Sequence, residues 1–415
     1  MENPAIARTP SELRADSTES CRLIRLCCAV LLFLMTALSA ISQGQMREQA
    51  KPAGSEAMPE PAMPAILAAF DKYEIVAMPE AHGMKDVDDF ILSLIRNPTF
   101  SEKVNDIAVE CGNSLYQPIL DRYIAGADVP FTEVRKVWRN TTQTMCGTSG
   151  FFEQFFPLVR AINQKLPPGR HLRVLAADPP IDWDHVKTSE DAMKFFDREP
   201  SIVSVMEKEV LSKHRKALML FGTFHLLHGH GEGEGDREAV SIYERDYPNL
   251  TFVISDLGTF EADLVDLSSS PLGTWPVPSL ARTKGTWLGA LYLDHFFPPG
   301  ITVDQDCNAS SEFPKSLQKP VSDLVDALLY LGPQNLRLNE QMPADVALDL
   351  DYRMELQRRQ TLTGFPGAAT ATLKDLNEEI VNSAETPVYI VDTPPDLKQV
   401  KQSCLDLKKD RSTPQ

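Results

Sequence analysis

Tyr73–Gly83 reads YEIVAMPEAHG. The apolar run Ile75, Val76, Ala77, Met78 stops at Pro79, and Glu80 and His82 follow within four residues. A hydrophobic strand that ends in a Pro/Gly turn carrying a carboxylate and an imidazole is how open α/β sheets present chemistry, because ligands there sit beyond the carboxyl ends of parallel strands. The plainer alternative is that Glu80 and His82 only cap the next helix. One turn does not separate the two readings. Several strands ending the same way do.

Beyond that turn Val87, Phe90, Ile91, Leu94 and Ile95 fall at helical spacing, and Asn97-Pro98 ends the helix. Val104–Glu110 (VNDIAVE) is a second short strand that closes on a carboxylate. A helix from about Leu115 to Gly126 completes a βαβ unit with a right-handed crossover. Thr132–Trp138 reads as another helix, leading into Arg139-Asn140-Thr141-Thr142. Phe152, Phe155, Phe156, Val159 and Ile162 repeat at helical spacing, a core stripe that Pro157 should kink. Leu172–Ala177 is a third strand and runs into Asp178. After a helix over Pro200–Leu211, Ala217–Phe221 is a fourth strand, followed by Gly222-Thr223-Phe224-His225. The glycine-rich stretch to Gly235 is a lid or an ordinary excursion. Leu250–Ile254 is a fifth strand.

From about Phe260 to Gly300 the pattern weakens, and an irregular segment is expected to pack over the sheet. Asp326–Leu331 reads as a late strand, Asp351–Gly364 as a helix and Val388–Val391 as an edge strand. The fold class is therefore α/β: a mainly parallel central sheet flanked by helices, with an irregular C-terminal extension. The expected organisation is a signal peptide over 1–42, a disordered linker over 43–64 and a core domain over 65–260. The C-terminal part of the same unit follows over 261–400, and then a frayed tail over 401–415.

The 415 residues are 43% hydrophobic and 24% charged, enough to build a large core. A formal net charge of −17 argues against nucleic acid or an anionic membrane surface as partner. Arg22 and Arg25 precede the apolar run Leu26–Leu38, and small residues follow it. This pattern predicts a cleaved secretory signal, with the mature chain starting near Gln43 and exported to a periplasmic or extracellular space. A membrane contact would come only through an uncleaved signal. Cleavage would leave Cys111, Cys146, Cys307 and Cys404, for which three pairings are open.

Glu80, His82, Glu110, Asp178 and His225 all end predicted strands, so they can converge on one edge of the sheet. Imidazoles and carboxylates there suit a general acid/base site, with a carboxylate orienting an imidazole that activates water. They also suit ligation of a divalent metal. An inert buried network is the third reading. His228 and His230 read as solvated loop residues.

At these residues the chain resembles the superfamily that unites erythromycin esterase-like hydrolases, the ChaN haem-uptake lipoproteins and the Tiki/TraB metalloproteases. The resemblance rests on the strand and E-x-H-G turn at Met78–Gly83, on Glu110 after the second strand, and on G-x-x-H at Gly222–His225. It covers roughly Ala65–Asp256. This chain departs from the pattern at Pro79, where the family has glycine; proline removes a backbone N–H. The resemblance implies catalytic roles for Glu80, His82, Glu110 and His225. Either imidazole would act as base, and Glu80 and Glu110 would orient them. In the metal-assisted form His82, Glu110 and His225 are the ligands. Arg139 and Asp178 are candidates for binding a small-molecule or peptide substrate. No G-x-S-x-G elbow occurs, so direct attack by water is favoured over an acyl-enzyme. The alternatives are a haem-like ligand-binding protein of the same fold, and an envelope protein with a vestigial site.

Overall fold

A computed structural model describes residues 54–80, 83–229, 237–257, 271–292, 301–303, 306–311, 318–333, 338–363, 397–398, 400–402 and 404–405. The expected signal, His82, His230, the Val388–Val391 strand and most of the tail lie outside them.

Ten strands are described: β1 (Pro59–Pro61), β2 (Ile75–Pro79), β3 (Asp106–Asn113), β4 (Arg173–Asp178), β5 (Ala217–Phe221), β6 (Thr251–Asp256), β7 (Ser279–Arg282), β8 (Ile301–Val303), β9 (Ala309–Ser311) and β10 (Ala327–Tyr330). Eight form one sheet in the order β1-β7-β10-β6-β2-β5-β3-β4, while β8 and β9 pair separately. The six strands from β10 to β4 are parallel; β7 and β1 add an antiparallel margin. The four strands read from the sequence as ending at the site, β2, β3, β4 and β5, thus share one carboxyl edge.

The strands alternate sides as a buried parallel sheet requires. Val76, Met78, Val109, Leu218 and Leu220 face one apolar layer with the helices Lys85–Arg96, Phe131–Arg139 and Phe151–Asn163. Ile75, Ala77, Ala108, Met219 and Phe221 face the other, with Glu199–Glu209 and Ala239–Tyr243. Connections on the first face carry the chain from β2 to β3 and β4. Connections on the second carry it back to β5 and then β6. The direction of winding therefore reverses around β5, and crevices open at such reversals.

The phenylalanine stripe is core, as its spacing predicts: Phe151, Phe152, Phe155 and Phe156 are buried, with Trp138 stacked 5.3 Å from Phe156. The helix runs through Pro157 to Asn163. One expectation needs correction. The stretch read as wholly irregular after Phe260 contains β7, which pairs antiparallel with both β10 and β1. Four residues are too short a run to show periodicity; tertiary pairing makes the strand. The cysteines join as Cys111–Cys146 and Cys307–Cys404.

Candidate functional site

β5 ends at Phe221, between the ends of β2 and β3. The Glu80 N–H donates to the Phe221 carbonyl at 2.9 Å, and the Gly222 N–H donates to Glu110 Oε2 at 2.5 Å. Register aligns Met78 and Val109 with Leu220, so the pleat carries Glu80 and Glu110 to alternate faces of this edge. Each belongs to a different cluster.

On the second face the cluster is built around Arg198. Its Nη1 donates to Glu110 Oε1 at 2.7 Å and its Nε to Asp178 Oδ1 at 2.8 Å. All three residues are buried. The Thr142 N–H and hydroxyl donate to Asp178 at 2.6 and 2.7 Å. Burial nonetheless pushes the Asp178 carboxyl above its usual range, against the pull of Arg198 and Thr142. His225 sits in the short helix Thr223–Leu226, where β5 hands over to the loop. Its Nδ1 is 2.5 Å from Glu199 Oε1, and its Nε2 is 3.4 Å from Glu110 Oε1. Burial works against the charge on this ring, but the hydrogen bonds it donates to Glu110 and Glu199 outweigh that and raise its pKa to about 9. His225 is therefore an imidazolium at neutral pH. Its 3.3 Å approach to Arg198 Nη1 is then a contact between two donors that share Glu110.

On the first face Glu80 stands near Asp88 and Glu340. The C-terminal part supplies Glu340 by pairing across the first turn: the Lys85 N–H donates to the Leu338 carbonyl at 2.9 Å, and the Glu340 N–H to the Gly83 carbonyl at 2.6 Å. Burial, with the charges of Glu340 and Glu80, holds Asp88 well above the normal carboxyl range. Burial raises Glu340 to about 7, Glu80 adding to the shift, although Ser149, Gly150 and Phe151 donate hydrogen bonds to it. Both carboxyls thus hold their protons more tightly than usual, a property of groups that exchange them.

The candidates named from sequence are thus placed as follows. Glu110, Asp178 and His225 meet through Arg198. Glu80 lies at the same edge on the other face. Asp178 is wholly buried on Thr142 and Arg198, which makes it an orienting group. Arg139 is engaged by Glu153 at 2.9 Å and Asp345 at 3.1 Å and lies over the Tyr352 ring, so its charge ties the C-terminal helices down. His228, read as a solvated loop residue, is instead clamped between Glu244 at 2.8 Å and Asp326 at 2.9 Å.

Arg198, Glu199, Thr142, Asp88 and Glu340 were not picked out from sequence. A signal existed for two of them. A helix that follows a parallel strand starts at that strand's carboxyl edge, so Arg198-Glu199-Pro200 at a helix start after β4 had to lie beside Asp178.

Of the three candidate ligands, the two that are described, Glu110 and His225, do not fit a divalent metal in this arrangement. Arg198 and Gly222 occupy the oxygens of Glu110, and carboxylates bracket both nitrogens of His225. A fixed positive charge stands where a cation would bind. Among the described residues no group of three His, Cys, Asp or Glu could hold a metal. Haem would need an imidazole lone pair, which a doubly engaged His225 does not offer.

No protein-family model matches the chain, and no curated protein matches it. Among solved structures it is similar to a protein of Bacillus cereus, at 12% identity over 67% of this chain and 95% of that one, with a TM-score of 0.42. It is also similar to a succinoglycan biosynthesis protein, at 8% identity over 67% of this chain and 94% of that one, with a TM-score of 0.46. Among the described residues no helix is long and apolar enough to cross a membrane.

Proposed function

We propose that the chain is an exported hydrolase of the erythromycin esterase-like type, which directs water at a small-molecule or peptide substrate without a metal. The observation that carries this reading is the Glu110–Arg198–His225 cluster at the winding reversal of the sheet. There a buried guanidinium and an imidazolium are fixed in place by the carboxylates of Glu110, Asp178 and Glu199. Positive groups fixed in a dry site stabilise the oxyanion of acyl transfer far better than they would in water. Arg198 Nη2 has no hydrogen-bond partner among the described residues, so one donor remains for an anionic oxygen.

Roles follow from the charges. His225, protonated, is the proton donor to the leaving group and a stabiliser of negative charge. Glu199 and Glu110 hold it in that state. The base for water falls to Glu80 or to its neighbour His82. Two disulfides, Cys111–Cys146 and Cys307–Cys404, are compatible with export.

The test is turnover of a panel of esters and peptides by the wild type, His225→Gln and Glu110→Gln, with and without a chelator. Wild-type turnover that survives the chelator, and falls by roughly a hundredfold in His225→Gln, is expected. Full activity in both variants, or none in the wild type on any substrate, overturns the reading.

A further inference from the structure

The helix Leu350–Thr363 has the sequence LDYRMELQRRQTLT. Tyr352, Glu355, Leu356 and Arg359 recur at helical spacing and form one face. That face is mostly polar, so it docks through hydrogen bonds. Arg359, which is buried, donates from Nη1 to the Arg139 carbonyl at 2.6 Å and from Nη2 to Asn140 Oδ1 at 2.9 Å. Glu355 holds its Nε at 2.7 Å, and the guanidinium lies 4.9 Å over the Trp183 ring. The Tyr352 hydroxyl donates to the same Arg139 carbonyl at 3.2 Å. That hydroxyl fills the space where a Cβ at position 147 would stand, so glycine there is what admits the helix.

The segment grasped in this way leads straight to the strand edge. Trp183 Nε1 donates to the Thr141 carbonyl at 3.0 Å, and Asn113 Nδ2 donates to the Asn140 carbonyl at 2.6 Å. The next residue, Thr142, supplies both bonds to Asp178, and Asp178 holds Arg198. Arg359 touches none of the site groups itself.

We propose that Arg359 is a positioning residue for the strand-edge cluster, holding residues 139–142 so that Thr142 fixes Asp178 and, through it, Arg198 against Glu110 and His225. This rests on reading that cluster as the functional site. The C-terminal helix is on this account part of the site, though it lies far from it in sequence.

The experiment reads His225 directly, so it does not need an active enzyme. The ring faces Glu110, Glu199 and Arg198. Without the Thr142 bonds the buried Asp178 takes up a proton and Arg198 loses half of its countercharge. Its charge then opposes the imidazolium. Imidazole NMR titration of the full chain should show the His225 midpoint falling by about half a pH unit or more in Arg359→Met. Arg359→Lys should lie between, since it keeps the charge and loses the fork. Tyr352→Phe, which deletes one bond to the same carbonyl, should shift the midpoint less in the same direction, and it decides the matter if Arg359→Met does not fold. Arg160→Met is the control, because Arg160 pins the Tyr123, Gly126 and Ala127 carbonyls with no link to Asp178. At a comparable drop in melting temperature it should leave His225 unmoved.

A fixed midpoint in folded Arg359→Met, or in Tyr352→Phe where the first does not fold, overturns the proposal. So does an equal shift in Arg160→Met. If no form hydrolyses any substrate, the hydrolase reading fails while the titration still decides the coupling. If the wild type is active, Arg359→Met should lower kcat more than it raises KM.

Discussion

The two edges of the parallel sheet each carry a buried carboxylate bound by arginine, and they are built differently. At the amino edge Asp106 is wholly buried and accepts from Arg173 Nε at 2.6 Å and from Arg215 Nε at 2.6 Å. Both guanidinia are partly open to water, with side chains 36% and 31% exposed. Arg173 continues to Glu209 at 2.9 Å, and Glu209 to Lys213 at 2.7 Å. Here two cations serve one buried acid, and water covers the rest. At the carboxyl edge the ratio is inverted: one buried cation, Arg198, serves two buried acids, and an imidazolium is added beside it. The amino-edge network is one a fold uses to close a sheet. The carboxyl-edge network keeps charge out of water with a donor left over, which serves stability poorly and chemistry well.

The largest expected effect is removal of the central cation. Arg198→Met leaves Glu110 and Asp178 buried without it and should cost about 3–5 kcal/mol of folding stability. Asp106→Asn at the opposite edge should cost only about 1–2 kcal/mol, because Asn still accepts and both arginines can hydrate. The pH response of Arg198→Met has a definite sign. Burial already raises Asp178 in the native chain, and the variant loses the Arg198 charge that opposes it. A carboxyl whose folded pKa exceeds its unfolded one destabilises above that value, so the variant should regain stability as pH falls towards 5. Urea unfolding of both variants between pH 5 and 8 measures this. An Asp106→Asn loss larger than that of Arg198→Met would break the contrast between the edges.

The second effect is the pH dependence of the wild type. His225 and His228 are each raised from 6.5 to about 9. For both, burial opposes the charge, and paired carboxylates outweigh it. A group whose folded pKa is raised contributes stability that is fully present below its unfolded pKa and is lost as pH rises through the folded one. The loss should therefore run from about pH 6.5 to beyond pH 9, at up to roughly 3 kcal/mol for each ring. Asp106, Arg173, Arg215, Glu209 and Lys213 of the amino-edge network include no imidazole and should not contribute to it. Denaturation midpoints from pH 6 to 10 should fall in the wild type, fall less in His225→Gln and in His228→Gln, and flatten most in the double variant. A single variant as steep as the wild type would remove that ring from the account.

The same contrast explains what could be read in the chain. Strands and helices were legible because the parallel sheet is buried on both faces. Its strands are unbroken apolar runs such as IVAM and ALMLF, and its helices show one clear stripe. Glu110, Asp178 and His225 were legible as strand ends. Arg198 was not, because Arg-Glu-Pro looks like any helix start until the crossover rule is applied to it. Glu340 and Arg359 were invisible for a stronger reason. Their roles come from pairing with Gly83–Lys85 and with Arg139–Asn140, contacts that span more than two hundred residues and leave no local pattern. For Arg139, an arginine after an aromatic helix suggests an anchor for ligand, while its pairing with Glu153 and Asp345 left no local pattern.

The smallest effect concerns Pro79, the last residue of β2. A proline inside a central strand ordinarily loses a ladder bond. Here it does not. Along β2 the Ile75 N–H donates to Leu250 just before β6, and the Glu80 N–H donates to Phe221 of β5. Amides alternate sides along a strand, so the missing N–H at position 79 belongs to the β6 side. Pairing with β6 is already over at Ala77 and Val253. The absent donor thus points away from β5 and β3, the strands that carry His225 and Glu110. Glycine at this position would add a donor that faces neither group and would loosen the unfolded chain. Pro79→Gly should lower stability by about 0.5–1 kcal/mol and leave turnover within about twofold of the wild type. The His225 titration should not move. A rise in turnover of about tenfold or more would mean that the β6 side of this edge also meets the reacting group. The chemistry would then centre on Glu80 with its neighbours Asp88 and Glu340, and Arg198 would be secondary.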